Sequence, residues 1–400
     1  DQHVGLNDLN LNHLHSSFRI KSTAISVAKP RRHMQTVYYM RPRASSTRVT
    51  DELRANRRTA RRGGTSSVVT ADSARKVYDD AIVIDGLNVS LWSSPNVYPS
   101  LSAGGITAIN ATMAIWEGFQ ETLDRLAGWS GRFREHAGTL SQGRTADDIL
   151  KAKTDGKTAV FLGWQNASPI ENDLDRLLLF YNLGVRVIQV TYNERNLLGN
   201  GCYERVDDGL SNFGLDAVKI MNELGILVDL SHVGDRTTME TIEASEKPVA
   251  FTHCNARSFV DHVRNKPDDA LKALVEKGGV VGANAWPSFL LKGYESDLAD
   301  YVDAIEDLIE RVGIDHVGIG TDFCQDQPYS FFQYLFAQQG TKIRPIPLPI
   351  PDPHYHPYGF EGPDQMPDLA GELMGRGYSK DNTSKILGGN FLRLFREVMG

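Results

Sequence analysis

The chain has 400 residues, of which 41% are hydrophobic and 23% are charged, and its formal net charge is −7. These values are typical of a globular protein with one large core. The negative charge argues against nucleic acid as the main partner, because binding a phosphate backbone needs a basic face. No apolar run approaches the roughly 18 residues that a membrane span requires, so we expect no membrane-spanning segment.

The first 75 residues differ from the rest of the chain. Basic residues outnumber acidic ones between Arg19 and Arg62, Ser and Thr are frequent, and no apolar periodicity is present. We interpret residues 1–75 as an arm, either disordered or wrapped around another subunit of a homo-oligomer. An Arg-rich, Ser-rich and acid-poor amino end also resembles an organelle transit segment, which is the alternative interpretation. The barrel domain then covers 76–400, with a short helix before its first strand.

Eight short apolar runs alternate with helical stretches after this region. They cover residues 81–85, 105–111, 158–163, 185–191, 226–231, 248–252, 279–285 and 316–321. Continuous Val, Ile and Leu runs are typical of parallel strands buried on both faces. The helical stretches are clearest at 171–184, 214–225 and 298–313, and each ends in a glycine that can adopt a left-handed cap. Eight such units predict a (β/α)₈ TIM barrel, with its active site at the C-terminal ends of the strands.

Polar residues stand at or just after the ends of seven of these runs. They are Asp85, Gln165, Tyr192, His232, His253, Asn284 and Asp322. Two histidines and a carboxylate suit a zinc ion, and they also suit iron(II). A proline-rich segment at 344–367, which carries His354 and His356, follows the last strand and is predicted to be a lid over the mouth. The chain then closes with amphipathic helices that bend at Gly388 and Gly389.

The three cysteines, Cys202, Cys254 and Cys324, form neither a C-x-x-C zinc pattern nor a disulfide framework. A reducing compartment is the simpler interpretation, so we expect a cytoplasmic location.

Several motifs together resemble the membrane (renal) dipeptidase family, zinc peptidases of the amidohydrolase superfamily. They are DGLNVSLW, DLSHVG, FTHCNARS, HVRNKPDD, GIGTDF and GGNFLRLF, in the family's order and spacing from about residue 76 to 400. The resemblance implies a (β/α)₈ barrel, hydrolysis of dipeptides and two zinc ions bridged by a glutamate. It also implies that His232 and His253 hold the second zinc, that Asp322 is a zinc ligand and proton acceptor, and that Arg264 binds the substrate carboxylate.

Four positions depart from that pattern. Leu87 and Val89 stand where the family has the His-x-Asp ligands of the first zinc. Gln165 replaces the bridging glutamate, and Tyr192 replaces a histidine that contacts substrate. A two-zinc centre should therefore not form, because apolar side chains offer no lone pair to a metal.

The remaining residues predict a smaller site. We expect at most one ion, zinc or another divalent metal, held by His232, His253 and Asp322. The expected substrate contacts are Arg264, Tyr192, Gln165, Asn166 and Asn284, although Arg264 could instead pair with Asp268 or Asp269 at the surface. The leading hypothesis is a hydrolase that cleaves an amide bond in a dipeptide or another small carboxylate-bearing substrate. The alternatives are a tailoring enzyme (oxidation, isomerisation or elimination) with a one-metal or metal-free pocket, and an inactive homologue that binds a ligand.

Overall fold

A computed structural model describes residues 70–337 and 355–400. The predictions for residues 1–69 and for 338–354, including His354, lie outside these described residues. The strands, numbered in chain order, are β1 Ile84–Asn88, β2 Ala108–Ala114, β3 Leu140–Gly143, β4 Thr158–Trp164, β5 Val185–Gln189, β6 Leu227–Asp229, β7 Ala250–Phe251, β8 Val280–Asn284 and β9 Val317–Gly320.

Eight of these strands close into a parallel barrel. The hydrogen-bonded order is β2-β1-β9-β8-β7-β6-β5-β4, and the additional pairing of β2 with β4 closes the ring. In that last pair Ala108 lies opposite Ala159, and five further residue pairs follow. The predicted (β/α)₈ TIM barrel is therefore confirmed.

The ninth strand, β3, is one that the sequence did not indicate. It pairs in parallel with the first half of β4, outside the ring, with Leu140 opposite Thr158. Its sequence, LSQG, has one apolar residue and a half-buried middle. The apolar-run criterion therefore missed it, because its pairing depends on backbone hydrogen bonds to β4.

Helices fill the connections between strands. They are α1 Ala71–Asp80, α2 Val97–Ala103, α3 Phe119–Glu135, α4 Ala146–Asp155, α5 Asp175–Asn182, α6 Asn212–Leu224, α7 Asp235–Ala244, α8 Asp268–Glu276, α9 Leu298–Val312, α10 Tyr329–Leu335, α11 Met366–Gly375, α12 Lys380–Ser384 and α13 Asn390–Met399. No helix within these described residues combines the length and the hydropathy that crossing a membrane requires.

Local sequence signals set several helix ends. The Thr70 side chain accepts a hydrogen bond from the Ser73 amide and begins α1, and Ser211 does the same for Gly214 at the start of α6. Gly225 ends α6 at a φ of 75°, the left-handed cap that the sequence predicts. The helix expected before the first strand is therefore present as α1.

The last helix closes the N-terminal end of the barrel. Phe391, Leu394 and Phe395 of α13 pack in one buried cluster with residues from the beginnings of the strands, including Ile84 and Phe161. The approach is close enough that a Cβ on Gly388 would lie 2.5 Å from the Ile82 carbonyl oxygen. Because this end is filled by side chains, the strand-end residues of the opposite end are the ones available for chemistry.

Candidate active site

The two histidines predicted as metal ligands lie side by side at the ends of neighbouring strands. His232 follows β6, His253 follows β7, and their Nε2 atoms are 2.9 Å apart. Their side chains are 7% and 0% exposed. Burial lowers the pKa of each imidazole well below its ordinary value, and the nearby Arg264 guanidinium lowers it further. Both rings are therefore neutral at pH 7.

A hydrogen-bonded chain fixes the orientation of His253. The Thr252 hydroxyl donates to Asp229 Oδ2 over 2.7 Å and lies 2.8 Å from His253 Nδ1. Since the hydroxyl has a single hydrogen, its oxygen is left to accept from the ring, so His253 carries its proton on Nδ1. The Asp229 carboxylate is held in turn by the Ser231 hydroxyl at 2.6 Å and the Thr252 amide at 3.0 Å.

Asn193 fixes the orientation of the His232 ring. Its Oδ1 lies 2.7 Å from His232 Nδ1, which places the ring proton on that nitrogen. Asn193 has a φ of 58°, in the left-handed region that Asn tolerates better than most residues. We refer to Asp229, Thr252, His253, His232 and Asn193 as the histidine cluster.

The donor set of the histidine cluster fits one metal ion. With both protons on Nδ1, the two Nε2 lone pairs face the same small space, an arrangement that repels in the absence of a cation. Ligating histidines in proteins usually donate their other N–H to a neighbouring oxygen, which fixes the tautomer. In residues 70–337 and 355–400, however, no three His, Cys, Asp or Glu side chains converge as a possible metal group. Asp322 as the third ligand therefore stays a prediction.

The side of the mouth near β1 does not fit a second ion. Leu87 and Val89 are 2% and 4% exposed. They pack in an apolar cluster whose other members include Ile115, Trp286, Phe332, Leu335 and Tyr355. We call this group the apolar cluster. Leu87 and Val89 offer a cation no lone pair, so a two-ion centre disagrees with these side chains.

Asp322 follows β9 and is partly buried. Its φ of 59° is unusual for a residue other than glycine, and its amide donates to the Leu87 carbonyl at 3.1 Å. Burial raises the pKa of its carboxyl to about 6, while the Arg264 charge and the Asn284 side chain oppose this rise. The carboxylate is therefore mostly ionised at pH 7 and close enough to neutrality to accept a proton.

Asn284, at the end of β8, joins the two halves of the predicted site. Its Nδ2 donates to the His253 carbonyl at 3.2 Å, and its Oδ1 accepts from the Trp286 amide at 2.6 Å. The Asn284 side chain also lies close enough to Asp322 to lower the pKa of its carboxyl. Asn284 is 0% exposed, and its hydrogen bonds hold neighbouring groups in place. Its contact with substrate stays a prediction.

Arg264 lies inside the mouth and not at the surface. It is 2% exposed and donates to the carbonyls of Ser231, at 2.6 Å, and His253, at 3.1 Å. The alternative surface pairing with Asp268 or Asp269 is wrong, because Arg264 is buried and forms no salt bridge with either residue, while Asp268 binds Arg311 at 2.9 Å. No carboxylate of the described residues forms a salt bridge with Arg264, and the Asp322 carboxyl is close enough for the Arg264 charge to lower its pKa.

The other predicted substrate contacts are spread around the mouth. The Tyr192 ring lies against His232, with centroids 4.2 Å apart. Gln165 Nε2 donates to the Thr112 hydroxyl at 3.0 Å, and Asn166 Oδ1 accepts from Asn196 at 2.8 Å. Tyr192 thus lies in the histidine cluster's immediate surroundings, while Gln165 and Asn166 have neighbours outside it.

Only the end of the predicted lid is described, and it packs on the apolar cluster. The Tyr355 ring stacks on Phe332 with centroids 3.5 Å apart. His356 Nε2 accepts from the Cys324 amide at 3.1 Å. The Cys324 thiol donates to the Asp322 carbonyl at 3.2 Å. The three cysteines are free thiols.

Sequence reasoning missed the residues that orient the histidines. Asp229 and Thr252 lie in predicted strands, and Asn193 lies next to Tyr192. A signal was available for Asp229, because a carboxylate within an otherwise apolar strand needs partners. Its particular partners depend on strand register, which the sequence alone does not give.

The comparisons with known proteins agree with this architecture. The sequence profile of the membrane dipeptidase family, peptidase family M19, matches residues 70–331. Dipeptidase tcpJ of Claviceps purpurea is 29% identical over 262 residues, which are 65% of this chain and 55% of that protein. The chain thus spans about half the length of this curated relative.

Solved structures show the same fold. An amidohydrolase from Pseudomonas aeruginosa is 39% identical, with a TM-score of 0.79, over 82% of this chain and 99% of that one. A metallopeptidase from Rhodobacter sphaeroides, solved with a phosphinate mimic of L-Ala-D-Ala, is 22% identical, with a TM-score of 0.67, over 80% of this chain and 100% of that one. Because the family profile covers more than half of the sequence, the chain belongs to the membrane dipeptidase family, peptidase family M19.

Proposed function

We propose that this protein is a divergent, metal-dependent hydrolase that cleaves the amide bond of a dipeptide or another small carboxylate-bearing substrate with a single ion. The observation that carries the proposal is the convergence of two neutral imidazoles, with Nε2 atoms 2.9 Å apart and each Nδ1 bound to an oxygen. Family membership and the similarity to a protein named as a dipeptidase support the reaction class.

The histidine cluster would hold the ion. His232 and His253 would supply two nitrogen ligands, while Asp229 (through Thr252) and Asn193 keep their rings in the ligating tautomer. A divalent ion in such a site polarises a carbonyl and lowers the pKa of bound water. Both imidazoles stay neutral, so their Nε2 lone pairs are available to a cation.

Asp322 would act as general base. Amide hydrolysis forms a bond from a water oxygen to the carbonyl carbon, breaks the C–N bond, and moves a proton from water to the leaving amine. A carboxyl whose pKa is raised to about 6 can accept the proton from water and then donate it to the leaving amine. Asn284 supports this role, because it lies close to Asp322 and donates to the backbone of His253.

Arg264 would bind the substrate carboxylate. It is a buried cation without a salt bridge to a described carboxylate, and a buried unpaired charge is unfavourable until an anion arrives. Lys266 adds positive charge nearby: it is 1% exposed and donates to the Val233 carbonyl at 2.7 Å. Burial lowers the pKa of Lys266 to about 8, so it still carries a proton at pH 7.

The test is a comparison of dipeptides with their C-terminal amides. Wild-type protein should hydrolyse the free acids faster than the amides. Arg264→Ala should lower kcat/KM for the acids about 10- to 100-fold, because a hydrogen bond to a charged group is lost. The amides should lose little. Arg257→Ala is the control, because Arg257 pairs with Asp235 near the surface at 2.6 Å.

Equal losses for acids and amides would contradict the role of Arg264. If no dipeptide is hydrolysed and the purified protein holds almost no metal, the hydrolase proposal fails. That result would favour the metal-free tailoring enzyme or the inactive ligand-binding homologue.

A further inference from the structure

A second cavity lies beside the barrel mouth, apart from the histidine cluster. It has a volume of about 670 Å³ and is bounded by the chain after β1, the end of β2, α3 and the residues around α10. Its lining includes Ser90, Trp92, Arg125, Trp129, Arg132 and Tyr334. We call it the side cavity. A volume of this size is in the range of small-molecule sites.

Aromatic rings form much of its wall. Trp92 and Trp129 lie with ring centroids 5.1 Å apart, and the Arg132 guanidinium carbon lies 5.4 Å from the Trp129 ring centroid. Flat π-faces beside a cation favour a ligand with a flat, apolar body.

Most polar side chains of the side cavity have hydrogen-bond partners within the described structure. Two atoms lack them, the Ser90 hydroxyl and Trp92 Nε1, but both are buried behind the cavity surface. A ligand in the cavity therefore meets the arginine side chains and the aromatic rings of the wall.

The two arginines of the side cavity differ in charge balance. Arg125 pairs with Glu117, which also accepts from the Tyr334 hydroxyl and, at 2.7 Å, from the Ile115 amide. Arg132 donates its Nε–H to the Trp92 carbonyl at 3.0 Å and forms no salt bridge within the described residues. The cavity's one acidic lining residue, Asp124, is exposed. The net preference is therefore for an anion near Arg132.

From these contacts we propose that the side cavity binds a small carboxylic acid with a flat aromatic body. The carboxylate would meet Arg132, and the ring would lie beside the aromatic residues of the wall. The site is distinct from the proposed hydrolytic centre, since no member of the histidine cluster lines the cavity. Its wall includes Val89, which stands where the family has a ligand of the first zinc.

The test uses 1-naphthylacetate and its neutral analogue 1-naphthylacetamide, with calorimetry on the full chain. The acid should bind saturably at one site per chain, and the amide should bind much more weakly. Arg132→Gln should weaken binding of the acid about 10-fold or more, because a charge-assisted bond is lost. Trp92→Leu, which removes an aromatic ring from the wall, should weaken it by a smaller factor. Arg134→Gln is the matched control, since Arg134 is exposed on the same helix and does not line the cavity.

Three results would overturn the proposal. They are no saturable binding by wild-type protein, equal binding of acid and amide, and unchanged affinity in Arg132→Gln. His253→Ala should leave binding intact; if it abolishes binding, the acid occupies the histidine cluster instead. Because the readout is binding and not turnover, failure here leaves the proposed hydrolysis untouched.

Discussion

On both sides of the barrel mouth a strand aspartate accepts hydrogen bonds from the amide and the hydroxyl of a threonine, but the surrounding side chains differ in polarity. On one side Asp229 accepts from the Thr252 amide at 3.0 Å and its hydroxyl at 2.7 Å. On the other, Asp85 accepts from the Thr321 amide at 2.9 Å and its hydroxyl at 2.7 Å. In each case the residue after the threonine is a predicted site residue.

The difference lies in what surrounds these two carboxylates. Around Asp229 the neighbouring side chains are polar and form the histidine cluster. Two and four residues after Asp85 the chain places Leu87 and Val89, which join the apolar cluster. The strand-end arrangement therefore forms without metal ligands, and the two histidines lie on one side only.

The largest effect should come from Asp322, the base on this account. Asp322→Asn keeps the shape but removes the proton acceptor, so turnover should fall about 10²- to 10⁴-fold. Asp326→Asn is the control, because Asp326 is exposed and also has a positive φ, 61°. Steady-state kinetics on an established substrate measure both. Unchanged turnover in Asp322→Asn would place the working base elsewhere in the mouth.

Restoring the family's first-zinc ligands should damage the fold instead of repairing the site. Leu87→His with Val89→Asp places two polar groups in the apolar cluster, at about 1–3 kcal/mol each when they find no partner. Urea unfolding should show this loss, while Leu178→His, at a residue 50% exposed on α5, should change little. A double variant as stable as wild type would show that the apolar cluster is hydrated or loosely packed.

Matched threonine variants separate the two sides of the mouth. Thr252→Val removes the hydroxyl between Asp229 and His253 and should weaken metal binding about 10- to 100-fold, as loss of an orienting partner does. Thr321→Val removes the equivalent hydroxyl beside Asp85 and should lower stability without a comparable loss of metal affinity. Titration with Zn²⁺ and thermal unfolding distinguish the two. Equal metal affinities would mean that Thr252 does not orient His253.

The last comparison concerns the pH dependence of stability. Burial raises the pKa of Asp85 to about 7 from an ordinary value of 3.8. The folded state therefore holds this proton more tightly, so the stabilisation is full below about pH 4 and is lost as the pH rises toward 7. Asp85→Asn should flatten the stability curve over that interval. Asp80→Asn, at an exposed position on α1, should leave it unchanged, and equal curves for the two variants would contradict the assignment.

The sequence predicted the barrel because strands buried on both faces must be continuously apolar, and all eight runs became ring strands. It predicted their ends less well. The first strand was expected at 81–85 and lies at Ile84–Asn88, since pairing with β2 and β9 decides where a ladder ends. The positions of His232 and His253 at strand ends followed from the fold. The residues that fix the tautomers of these histidines could not be predicted, because contacts such as Asn193 to His232 depend on loop geometry.

The most direct test of the account is the metal content of protein purified without chelator, measured by elemental mass spectrometry. We predict about one divalent ion per chain in the wild type and almost none in His232→Ala or His253→Ala. Two ions per chain, or one ion retained after both histidines are replaced, would contradict the single-ion site at the histidine cluster.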